Sequence, residues 1–207
     1  MIHYITTDKD TPIEKIQYFY VPEDFLDELN KMLKIVIEYF KKHNITNYFM
    51  DGGTLLGAVR NKGQIKYDDD CDFGVFKEDY DKILQNRDEL WDKYEIDIYQ
   101  EVDGFIKIVS TKACYKYNFE ECIQRILCID IFRYIKIDNK IVIENEDLRK
   151  LFSNCYYYED ELYPLTKYKF DDIELYGANQ PINYFERYYG SDWNIPKIYI
   201  KMDNIKK

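Results

Sequence analysis

The stretch DGGTLLGAVRNKGQIKYDDDCDFGVF, residues 51–76, decides how this chain is to be read. Two adjacent glycines, Gly52 and Gly53, follow the apolar run Tyr48-Phe49-Met50, a short buried strand, and precede residues 54–60, which read as a helix with Thr54 near its start. Glycines at such a junction let the backbone approach a ligand closely, and a helix N-terminus presents unpaired N–H groups with a partial positive charge, a seat for phosphate. A tight turn without a ligand uses the same pair, so Gly-Gly alone leaves both readings open. Residues 63–69 are polar and loop-like, and 71–76 alternate as a strand does. Asp70 and Asp72 stand two apart, so their carboxylates share one face. With Asp68 and Asp69, four of the five residues from 68 to 72 are acidic. A solvated loop can carry such a run without an ion. Between a Gly-Gly-helix unit and an apolar strand, the crowded carboxylates are expected to hold a divalent cation.

Such a site needs a third carboxylate, and Asp130 in ILCIDIFR, residues 126–133, is the candidate. A charge within an apolar strand is costly to bury unless it is paired or metal-bound. Two structural alternatives stand beside that reading: Asp130 facing water, or Asp130 paired with Arg125 or Arg133.

Outward from this stretch, residues 22–43 carry Phe25, Leu29, Met32, Leu33, Val36, Ile37 and Phe40 at spacings of three and four, an amphipathic helix. A second helix is expected over 78–94, with Tyr80, Ile83, Leu84 and Trp91 toward the core. Strands are expected over 95–100, 105–110 and 127–134, and Asp138-Asn139 turns into a strand at 141–143. Residues 146–157 read as a helix, 168–176 as a hairpin turning at Asp171-Asp172, and 182–189 as a short helix. Without repeat or linker, the pattern implies one α+β domain over 1–207, a mixed β-sheet flanked by helices, with an N-terminal arm over 1–21 and a tail over 197–207.

The 207 residues can bury a real core, and 46% hydrophobic with 33% charged residues excludes a disordered or low-complexity chain. The 22 Tyr and 12 Phe are read as core mass rather than as a functional signal. The net charge of −10, with no Lys/Arg stripe, argues against a nucleic-acid binder, and an anionic substrate would need a cation's help. No run approaches the roughly 18 apolar residues of a membrane span, and no signal-peptide pattern opens the chain, so it is expected to be soluble and cytoplasmic. Cys71, Cys114, Cys122, Cys128 and Cys155 are irregularly spaced and suit reduced thiols; a zinc site is disfavoured, because no close Cys-x-x-Cys pair occurs and His3 and His43 lie far away.

These residues carry a resemblance. GTLLGAVRNKG, YDDDCDFGV and EDYDKIL, followed by FIKIV (105–109), CIDIF (128–132), LYPL (162–165), YYGSDW (188–193) and Pro196, resemble the LicD family, which includes bacterial phosphocholine transferases and the fukutin-related proteins. The resemblance implies a nucleotidyltransferase-like fold and transfer of a phospho-substituent, such as phosphocholine or ribitol phosphate, from a CDP-linked donor to a glycan acceptor. By motif, Gly52, Gly53 and Thr54 would seat donor phosphate, with Arg60 and Lys107 placed for its oxygens. Asp70, Asp72 and Asp130 would be the catalytic carboxylates holding Mg²⁺ or Mn²⁺. Two alternatives remain: ordinary nucleotidyl transfer from a nucleoside triphosphate to a sugar phosphate, small molecule or protein, and a catalytically silent glycan- or nucleotide-binding module. The chain departs from the family pattern at Lys66-Tyr67, where Pro-Trp is usual, and at Arg133-Tyr134, where Pro-Leu is common. The first keeps an aromatic beside the site, and the second is expected to bring a cation close to Asp130.

Overall fold

The computed structural model describes residues 21–117 and 123–196. The expected tail, the expected arm apart from Val21, His3, and the side chains of Cys114, Cys122 and Arg125 lie outside the described residues.

Helix α1 (Glu23–Lys42) opens at Pro22, with Glu23 and Asp24 in its first turn and Lys41 and Lys42 in its last, each sign placed where the helix dipole favours it. Its apolar stripe from Phe25 to Phe40 is buried, and each such side chain contributes roughly 2 kcal/mol of transfer free energy. Strand β1 (Tyr48–Met50) leads into helix α2 (Gly52–Arg60), and β2 (Asp70–Phe76) returns antiparallel to β1.

The expected helix over 78–94 is two helices, α3 (Lys77–Gln85) and α4 (Asp88–Tyr94). Asn86 ends the first, its side-chain amide and backbone N–H both donating to the Lys82 carbonyl. This break changes the phase, so Leu90 is buried whereas Trp91 is 49% exposed instead of facing the core. Strands β3 (Ile96–Val102), β4 (Phe105–Tyr117), β5 (Ile123–Ile137) and β6 (Lys140–Ile143) follow. The expected helix over 146–157 stops early: α5 (Glu146–Leu151) is capped by the Asn145 side chain, and Tyr156–Tyr158 form strand β7 paired with β6. A run of three tyrosines favours a pleated edge over a helix, and Tyr157 has a buried partner described below. Helix α6 (Glu159–Leu162), the hairpin β8 (Thr166–Phe170) and β9 (Ile173–Gly177), and α7 (Pro181–Tyr189) complete the described chain.

Among the described residues, the order β1-β2-β5-β4-β3, with β6 on β5 and β7 on β6, makes a seven-stranded mixed sheet in which only the β2–β5 pairing is parallel. That parallel register puts Asp70 opposite Cys128 and Asp72 opposite Asp130, while antiparallel β4 puts Lys107 opposite Asp130. With side chains alternating along each strand, these five residues share one face of the sheet. The α+β reading with a mixed sheet flanked by helices therefore holds.

Candidate active site

Carboxylate oxygens of Asp70, Asp72 and Asp130 all lie within 4.8 Å of one another, on two adjacent strands whose parallel register makes the meeting unavoidable. Asp68, Asp69 and Asp70 form a second group at the same spacing. An all-carboxylate set is the donor chemistry that hard cations such as Mg²⁺ and Mn²⁺ take. Asp130 is the most buried of the three, and its two oxygens each accept from the Lys107 ammonium at 2.8 Å, while the Cys128 thiol donates to Oδ1, also at 2.8 Å. Burial opposes the Lys107 charge, but the charge and hydrogen bonds of Asp130 hold it protonated above its usual range. Arg133, expected near Asp130, points to the other side of β5. It pairs with Glu144 and Asp103 and lies over the Tyr80 ring, because a residue three positions along a strand faces away.

Asp70 and Asp72 are both pushed well above the usual carboxylate range. Loss of water comes first; the charges of Asp72 and Asp68 follow at Asp70, and those of Asp130 and Asp68 at Asp72. A carboxyl whose value is raised on folding contributes stability at pH below its unfolded value, and that stability is lost as pH rises through the folded value. Asp70→Asn is therefore expected to raise the melting temperature of the ion-free protein at pH 8 by roughly 2–4 °C per kcal/mol relieved. The gain should vanish below about pH 4, where both forms are neutral. Calorimetric scans across this range check it; a gain that persists in acid would overturn the assignment of the gain to a buried, crowded charge.

The Gly-Gly unit is the first turn of α2 rather than a loop ahead of it, and Asp51 occupies the N-cap position. The left-handed conformation belongs to Gly52 (φ +49°), not Gly53, and a Cβ there would stand 3.0 Å from Asp72 Oδ2. At Gly53 a Cβ would stand 2.3 Å from Asp68 Oδ2, so any side chain displaces that carboxylate. Thr54 is buried, and its hydroxyl accepts from the Asp72 backbone N–H at 2.7 Å, so this residue locks β2 to α2 and does not line the adjacent cavity. The acidic loop is held by Gln64, whose amide donates to the carbonyls of Asp68 (3.1 Å) and Asp70 (2.8 Å), and the backbone of Gln64 donates to Asp171 of the β8–β9 turn.

Beside Gly52, Gly53 and Asp72 opens a cavity of about 310 Å³, walled largely by Tyr67, Phe132, Phe152, Tyr188, Tyr189 and Trp193. Arg60 also lines it; the guanidinium donates to Tyr67 Oη (3.0 Å) and the Trp193 carbonyl (3.3 Å), tying the segment after α7 to the loop before β2. Tyr67 thus keeps an aromatic beside the site, as expected. Behind the cavity the Asp51 carboxylate is buried and accepts from Tyr134, Tyr157 (2.7 Å) and Tyr184 (3.0 Å). Burial and the Asp51 charge push all three phenols well above their usual range, which keeps them protonated donors.

The structure thus gathers Gly52, Gly53, Asp70, Asp72, Asp130 and Lys107 into one region, with Arg60 lining the adjacent cavity. Asp51, Gln64 and the three tyrosines were not legible as site residues. One signal was present for Asp51: a charge placed directly after the buried strand Tyr48–Met50, with no basic residue nearby in sequence to pair with.

Residues 44–179 match the family model described as LicD/FKTN/FKRP, nucleotidyltransferase domain. The chain belongs to this family. Among its relatives, the Rickettsia prowazekii uncharacterized protein RP689 is 36% identical over 166 residues, covering 80% of this chain and 55% of that protein. The Rickettsia typhi uncharacterized protein RT0683 is 34% identical over 180 residues, 87% of this chain and 51% of that protein. The LicD-family chain spans about half the length of these two relatives. The Haemophilus influenzae lipopolysaccharide cholinephosphotransferase LicD is 36% identical over 53 residues, 24% of this chain and 20% of that enzyme. Among solved structures, the lincosamide antibiotic adenylyltransferase LnuA, lincomycin-bound, superposes with a TM-score of 0.42 at 16% identity, covering 77% of this chain and 82% of that one. Among the described residues, no helix is long and apolar enough to cross a membrane.

Proposed function

We propose that this domain transfers a phospho-substituent, such as phosphocholine or ribitol phosphate, from a CDP-linked donor to a glycan hydroxyl, with release of CMP. The observation that carries the reading is the meeting of Asp70, Asp72 and Asp130, with Asp72 reaching the aromatic-walled cavity beside the Gly52–Gly53 turn, in a LicD-family domain. Asp70, Asp72 and Asp130 would hold Mg²⁺ or Mn²⁺, which when bound supplies positive charge for the donor diphosphate and the departing CMP. The chain's own part is positioning. The glycine turn admits phosphate oxygens close to the backbone, where the first N–H groups of α2 favour negative charge. An acceptor hydroxyl attacks the distal phosphorus in line; the new oxygen–phosphorus bond forms, the bond to CMP breaks, and the hydroxyl proton is released. Lys107 donates to both oxygens of Asp130, so an acceptor proton could be taken there only by displacing that ion pair.

The test is incubation of the protein with CDP-choline, CDP-ribitol or CDP-glycerol, a glycan acceptor, and Mg²⁺ or Mn²⁺, with the released product identified. CMP supports the reading. Pyrophosphate released from a nucleoside triphosphate instead would establish ordinary nucleotidyl transfer. Absence of any product, with ligand-dependent melting intact, would establish a binding module.

The glycine turn gives a further expected outcome. Gly53→Val should weaken binding of a CDP-linked donor about tenfold or more while leaving divalent-ion affinity less affected, because its Cβ meets Asp68 and narrows the phosphate approach. Calorimetry at saturating ion reads it, and unchanged donor affinity would return Gly53 to an ordinary turn residue.

A further inference from the structure

Asp51 is buried within a ring of donors drawn from three elements remote in sequence. Tyr134 comes from β5, Tyr157 from β7 and Tyr184 from α7, and the Cys155 sulfur lies 3.6 and 3.8 Å from the two oxygens. These donors cover both of its oxygens, and Asp51 belongs to neither acidic group beside it. Its backbone reaches the other way: its N–H donates to the Asp72 carbonyl at 3.0 Å, and its own carbonyl accepts from Leu55 N–H at 3.0 Å, bracketing the glycine turn. The three phenols are fully buried and pack behind residues that line the cavity. Tyr184 stacks on Tyr188, with centroids 5.7 Å apart and planes 19° apart, and on Tyr157 at 4.3 Å and 20°; Tyr134 is two residues past Phe132 on the same strand face. Gly52, next in the chain, is left-handed, and a Cβ there would stand 3.0 Å from the Asp72 carboxylate. A glycine there resists displacement weakly by itself, so its setting depends on what anchors its neighbour.

We infer that Asp51 is a positioning residue of the transfer site: its carboxylate, held by Tyr134, Tyr157 and Tyr184, sets the Gly52–Gly53 turn against Asp72 and the aromatic wall. The kinetic consequence rests on the transferase reading above, whereas the conformational one does not. Asp51→Asn keeps the shape but turns one acceptor oxygen into an N–H donor facing the phenols. Tyr184→Phe keeps the ring stack and removes a single donor.

Hydrogen exchange of amides 52–56 is expected to quicken in Asp51→Asn beyond what its global unfolding stability in urea accounts for, and to quicken in the same direction but less in Tyr184→Phe. With a CDP-linked donor, the KM for donor should rise about tenfold in Asp51→Asn with the acceptor KM and divalent-ion affinity unchanged, a split that a merely structural lesion does not produce. Exchange at 52–56 that tracks global stability alone, in either variant, would overturn the inference and leave Asp51 a fold-stabilising residue. Should Asp51→Asn not fold, the Tyr184→Phe comparison decides. If the wild-type protein transfers from no CDP-linked donor, the transferase reading fails while the exchange comparison still tests the positioning role.

Discussion

Asp72→Asn is expected to fold normally and to lose divalent-ion-dependent transfer by roughly three powers of ten or more, because a ligand for the ion acts mainly where charge develops in the transition state. The frame around residue 72 is built from its backbone: its N–H donates to Thr54 Oγ1 and its carbonyl accepts from Asp51 N–H. The substitution leaves both bonds in place. It removes a carboxyl whose value is raised by burial and by Asp130, so the ion-free melting temperature at neutral pH should stay level or rise. The stabilisation that Mn²⁺ or Mg²⁺ gives the wild-type protein in a thermal melt should disappear. Full transfer activity, or an undiminished ion-induced shift, would remove Asp72 from the site.

Asp130→Asn should cost two to three powers of ten in turnover, on the order of 3–4 kcal/mol of transition-state stabilisation. The structure makes its stability effect different from that of Asp72→Asn. Asp130 is at once part of the acidic group and the bidentate partner of Lys107, so the substitution relieves repulsion and loosens an ion pair together. The Lys107 side chain is 27% exposed and stays partly hydrated when the pair loosens, so the net change in stability should be about 1 kcal/mol or less. Steady-state kinetics on the folded variant beside a urea titration separate the outcomes. Near-normal turnover with a clear loss of stability would make Asp130 only the structural partner of Lys107.

The two carboxylate predictions rest on readings made at different levels. That Asp70 and Asp72 share a face follows from the period of two along any strand, and the apolar run after them is enough to call the strand. The helix over 23–42 was legible for the same kind of reason, since its apolar positions repeat at the helical period. The breaks within 78–94 and 146–157 were not. Whether Asn86 ends a helix, and whether three tyrosines extend as an edge strand, depends on partners that local pattern does not contain: a helix phase that buries Leu90, and a β6 strand awaiting Tyr156–Tyr158. The same limit hid Arg133, whose assignment near Asp130 from sequence adjacency fails against the alternation of the strand that carries both.

By itself, the sequence determined the chemistry on offer: a glycine pair at a strand-to-helix junction, an acidic run entering a strand, a lone Asp within an apolar one, and a motif order that marks the family. Local backbone periodicity and residue type are enough for that, because both act over a few residues. Only the tertiary structure decided which of these groups meet. Parallel pairing of β2 with β5 joins residues 58 positions apart, Asp72 and Asp130, and the closure of β5, β7 and α7 around Asp51 turns three ordinary core tyrosines into its hydrogen-bond donors. Strand register and the burial of a charge are settled by the whole core at once, since a carboxylate can remain inside only where distant elements supply every partner it needs.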